Sequence, residues 1–146
     1  MGQQQLLLLV LGIVIVGLAV VVGIQAFGEN QKKANSDALV NDAVRIASDG
    51  QAWKLKPAAF GGGADSADPD NDNFAAISLA QLGYELNANS RYDNLNGEFA
   101  IVGADGSLTI TGCSAANGNQ VVVTVEGTEP EDISTVVSTV TACTFS

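Results

Sequence analysis

Few side chains in this sequence could carry out chemistry, and the absences narrow the choice first. The chain of 146 residues contains no histidine, which removes imidazole acid–base pairs, Ser-His and Cys-His nucleophiles and every histidine-containing metal site. Sixteen carboxylates remain, but none lies in an apolar run that would lift its pKa toward neutrality and suit it to proton transfer. The run Asp68-Pro69-Asp70-Asn71-Asp72-Asn73 superficially resembles the start of a calcium-binding loop, with Asp68, Asp70 and Asp72 as candidate ligands. Such a loop needs glycine at its sixth position and a bidentate glutamate at its twelfth, where this chain has Asn73 and Leu79. The run therefore reads as a solvated turn, no cofactor is implied, and the residues point away from an enzyme.

Cys113 and Cys143 are the two remaining reactive groups. They lack the CxxC spacing of a redox site, and in an oxidising compartment such a pair reads as a structural disulfide. Closing a loop of about 30 residues would stabilise the fold by roughly 3 to 4 kcal/mol on the chain-entropy account. The alternative is two buried thiols.

The element that places everything else is Leu6 to Ile24, nineteen residues with no polar side chain, interrupted only by Gly12, Gly17 and Gly23. At 1.5 Å per residue a helix of this length spans about 30 Å, the thickness of a bilayer's hydrocarbon core. A signal-peptide apolar region is shorter, about 7 to 15 residues, and follows a basic segment. Here the first basic residue is Lys32. Hydropathy alone gives a single-pass anchor carrying a water-soluble domain. Beyond Ile24 the pattern turns amphipathic: Leu39, Ala43, Ile46, Gly50 and Trp53 recur at intervals of four and three, flanked by Val40, Val44 and Ala47. Lys32, Lys33, Asn35, Asp42, Asp49 and Gln51 fall on the expected polar face. Pro57 ends the segment. The spacing predicts one helix from about Gln3 to Lys54, continuous through the three glycines because no proline precedes Pro57.

The expected organisation is a helical arm over residues 1–56, an irregular connector over 57–96 and an antiparallel sheet over 97–146, an α+β fold. Glu98 to Val102, Ser107 to Gly112 and Gln120 to Glu126 read as strands, separated by turns at Ala104-Asp105-Gly106 and Asn117-Gly118-Asn119. Ile133 to Phe145 reads either as a short helix and strand or as one longer strand. Residues 57–146 carry Arg91 as their single basic side chain against twelve acids. A head so acidic repels phosphate backbones and stays soluble when crowded, so nucleic acid is not an expected partner at its surface.

A short polar cap, an apolar helix with an amphipathic continuation, a loop, an antiparallel meander and a C-terminal cysteine pair together resemble a type IV pilin. The resemblance covers the architecture of the whole chain. Met1 and the apolar run match the family's mature N-terminus, whereas Gln5 stands where its glutamate usually sits and Val22 where a helix-interrupting proline is common. Archaeal-like members often lack that glutamate. The resemblance implies a homopolymer of many copies, with Met1, Gln5, Leu6, Leu9, Ile13, Val16, Val20 and Ile24 in the filament core and a disulfide between Cys113 and Cys143. It also implies insertion in the cytoplasmic membrane before assembly, a pilus assembly machinery and a prepilin peptidase as partners, and an extracellular filament as destination. The missing basic leader fits a chain numbered from the peptidase cut. A type II secretion pseudopilin shares the layout, and a membrane-anchored binding module that never polymerises shares the helix.

Overall fold

A computed structural model describes residues 2–64 and 72–145. Its first element is α1 (Gly2–Leu55), helical through Gly12, Gly17, Gly23 and Gly28. Each glycine weakens a helix by about 1 kcal/mol relative to alanine, but the surrounding leucine and valine side chains offer no competing backbone hydrogen bonds and no proline removes a donor. The chain divides into two compact units, residues 1–34 and 35–146. The first is helix alone.

In the second unit the remainder of α1 covers one face of a five-stranded antiparallel sheet, in which β1 (Tyr92–Asp93), β2 (Glu98–Ala104), β3 (Ser107–Ser114), β4 (Asn119–Val125) and β5 (Ile133–Thr139) lie side by side in chain order. The expected α+β class is observed. The β2–β3 turn is tight, with Ala104 opposite Ser107 and Gly106 at positive φ, the left-handed conformation that glycine adopts without steric cost. Alternation along the strands selects the inner face: Phe99, Leu108, Ile110, Val121, Val123 and Val125 are fully buried against Leu39, Ala43, Ile46 and Ala47 of the helix. Phe74, Ile77 and Leu79 complete this core from the connector. Gly50 permits close approach of helix to sheet, since a Cβ there would lie 2.5 Å from Leu108 Cδ2.

The structure differs from the sequence reading at several points. β1 falls inside the expected irregular connector, where two residues are too few for a periodic signal. β3 runs to Ser114, two residues beyond the expected end, because the partners Asn119 and Gln120 keep the hairpin paired up to the Asn117-Gly118 turn. After β4 the chain forms a 3-10 turn at Pro130–Asp132, held by a reciprocal cap between Glu129 and Asp132, and then the single strand β5. The polar face of the helix is narrower than expected. Asn35, Asp42, Asp49 and Gln51 flank the apolar stripe, and each bonds a group of the sheet or connector. A helix packed on a sheet contacts it over an arc wider than its apolar stripe, so long polar side chains at the margin reach backbone that needs partners.

Candidate functional site

Among the described residues, the apolar part of α1 holds the longest run of exposed large apolar side chains. Every large apolar side chain from Leu6 to Ile24 is 48 to 69% exposed. Leu6, Leu9, Ile13, Val16, Val20 and Ile24, singled out from the sequence, are all among them, and so are the side chains between, because the helix is apolar around its whole circumference. Such a helix is stable only in lipid or among other apolar helices. Gln5 is exposed one turn before Leu9, and Met1 lies outside the described residues. Among the described residues, a Cβ added at Gly12, Gly17 or Gly23 would meet nothing within 4 Å. The arm is long and apolar enough to cross a membrane. Sequence reading stopped the apolar surface at Ile24, but Phe27, at 70% exposure, extends it. Its place three residues after Ile24 and seven after Val20 was the available signal.

The other marked residues lie in the second unit. Cys113 and Cys143 are joined, with Cα atoms 5.8 Å apart. Cys143 follows β5 instead of lying in it, so the disulfide fastens the C-terminal tail, not a strand, to the outer face of β3. The Gln120 side-chain amide donates to the Thr144 carbonyl at 2.8 Å, and the Phe145 ring lies 3.9 Å from the Arg91 guanidinium, which also pairs with Glu98 at 3.2 Å. The tail is thus held at three successive residues. Arg91 is the single basic side chain in the sequence from residue 57 onward, and Glu98 offsets its charge.

The polar margin of the helix is satisfied at each level. Asn94 and Asn96 donate to the Asp42 carboxylate at 3.0 and 2.7 Å. Gln51 donates to the Gly127 and Glu129 carbonyls at 3.0 and 2.7 Å. The Tyr84 hydroxyl donates to Asp49 at 2.5 Å, and burial, followed by that bond and the carboxylate's charge, holds the phenol well above its usual pKa while Arg45 opposes the shift. Lys54 is buried, and its ammonium donates to the Gly63 carbonyl at 2.9 Å. These contacts join helix to head.

Of the calcium candidates, Asp68 and Asp70 lie outside the described residues, and Asp72 is half-buried. Among the described residues no three His, Cys, Asp or Glu side chains gather in a way that could hold a metal ion. Compared with family models, curated proteins and solved structures, the chain matches none. The layout itself, a long apolar N-terminal helix followed by an antiparallel sheet and a disulfide, is compatible with a pilin fold.

Proposed function

We propose that this chain is the major structural subunit of an extracellular filament of the type IV pilus class, and that it polymerises through the apolar part of α1. The observation that carries this reading is the arm from Leu6 to Ile24, exposed around its whole circumference and followed on the same helix by a stripe that anchors a water-soluble, acidic head. In the filament the arms of many copies form a dry central bundle with the heads facing water. If assembly removes about 1,000 Å² of apolar surface per copy from water, the gross gain is roughly 25 kcal/mol before association entropy is subtracted. Before assembly the same arm is satisfied by the cytoplasmic membrane. Polymerisation is then an exchange of apolar environments, and it requires other proteins to extract the subunit. A prepilin peptidase and an assembly machinery are the partners this entails.

Two departures from the family pattern set the local chemistry. Gln5 is neutral, so it serves a neighbour's polar group through its amide instead of neutralising an N-terminal charge. With Val22 in place of proline, the helix keeps its hydrogen bonds in the bundle, where each unpaired N–H or C=O would cost more than a glycine's lost propensity. The disulfide weighs against a secretion pseudopilin. Electron microscopy of material sheared from the cell surface, with the subunit identified by mass spectrometry, tests the reading. Filaments built of this chain are expected. Its recovery solely as dispersed membrane protein would leave an anchored module instead.

A further inference from the structure

The sheet has two edges, and only one is guarded. The β1 edge is two residues long, ends in Asp93 and follows Arg91, and short charged rims of this kind discourage addition of another strand. The β5 edge runs for seven residues, Ile133–Thr139, each paired with β4 on one side. Among the described residues no backbone hydrogen bond reaches its other side. β5 has no charged residue and no proline, its register with β4 is unbroken, and Ser134 to Thr139 are all exposed. The devices that natural edges use against strand addition are missing here.

The charge distribution says what the edge fits. The chain has a formal net charge of −10, yet β3, β4 and β5 contain no Asp, Glu, Lys or Arg. Their outer face presents Thr109, Val122, Thr124 and Val136, so this is where two equally acidic molecules can meet without like charges facing each other. We propose that β5 pairs antiparallel with β5 of a second copy of this chain, joining two five-stranded sheets into one of ten strands. The pairing extends the filament reading, on which its biological consequence rests.

The sequence of β5 suits pairing with itself. Side chains directly opposite in an antiparallel pair share a face, so the permitted two-fold registers pair even positions with even and odd with odd. Centred on Val136, the pairing sets Val136 against Val136 of the second copy, Ser134 against Ser138, and Thr135 against Val137. Asp132 of each copy then lies opposite residue 140 of the other. The two Asp132 carboxylates stand about eight residues apart along the strands, or roughly 27 Å, beyond the physiological screening length of about 8 Å. A two-fold contact cannot repeat between successive subunits of a filament with one polarity, where every contact is head-to-tail. It therefore joins heads from different filaments and lets filaments associate side by side, many weak pairs acting together through their high effective concentration.

The test uses the full chain with Val136→Cys or Val102→Cys, oxidised both in detergent micelles, where the arm is covered, and in surface-sheared material. Both valines are on the outer face and exposed, at 63% and 44%. The proposed pair sets the Val136 Cα atoms about 4.5 to 5.5 Å apart, within disulfide range. V136C is expected to give at least tenfold more disulfide-linked dimer than V102C, and Val136→Lys is expected to separate laterally associated filaments into single ones without reducing their number. Equal dimer yields from the two cysteines, or lateral association unchanged in V136K, would overturn the proposal. Absence of filaments from every preparation would count against the polymer reading instead, and the detergent measurement would still decide the pairing of β5.

Discussion

At the scale of single residues, the informative side chains are polar ones at the margin of the helix. Gln51 fell on the expected polar face because a glutamine beside an apolar stripe gives no signal of what its amide will meet. Its two acceptors, the carbonyls of Gly127 and Glu129, lie more than seventy positions away in the sequence. Gln51→Leu leaves these carbonyls without their donor and is expected to lower head stability by about 1 to 3 kcal/mol, measured as the denaturant midpoint of the chain in detergent. An unchanged midpoint would mean that the amide contributes nothing net. Tyr84 makes a prediction in pH. Its folded-state pKa is raised, so the stabilisation it contributes is fully present below the unfolded value of about 10 and is lost as pH rises from there toward the raised value. Between pH 9 and 11 the thermal midpoint is expected to fall more steeply in the wild type than in Tyr84→Phe. Parallel curves would show that the phenol is not the group responsible.

Among the elements, the helix was legible over nearly its whole length, since an unbroken apolar run and then a three-and-four periodicity both specify helix, and Pro57 marks the end. The strands with clear alternation or dense valine were also legible, with ends shifted by one or two residues. β1 was not, because two residues contain no period, and its pairing depends on Tyr92 stacking beside Tyr84 and Phe99. The C-terminal tail could not be anticipated in detail either. Cys143 announces a crosslink, but nothing in the sequence tells whether it belongs to a strand or to a segment laid over one. Because the disulfide fastens this tail, replacing Cys113 and Cys143 with serine is expected to destabilise the head by roughly 3 to 4 kcal/mol through the freed loop. Amide exchange should rise at residues 141–145 while β3 and β4 stay protected. Loss of protection across the whole sheet would instead make the bond a condition of folding the core.

For the whole molecule, the decisive feature is a division of surface: an uncharged, wholly apolar arm and an acidic head with its own core. The apolar arm could be read directly from the sequence, and on the proposed reading its cover is supplied by other copies of the chain. Substituting Asp for Ile13, at the middle of the arm, is expected to abolish polymer while leaving head stability within about 0.5 kcal/mol of wild type, because the residue is exposed and not a member of the head's core. Polymer formed normally by this variant would place the subunit contacts elsewhere. The most direct test of the central claim is a helical reconstruction of the filament by electron cryomicroscopy. The account predicts residues 6–24 of many copies packed together on the axis, helical without a break from Gly12 to Gly23, and acidic heads on the outside. A map with these segments facing solvent, or filaments held together by the heads alone, would contradict it.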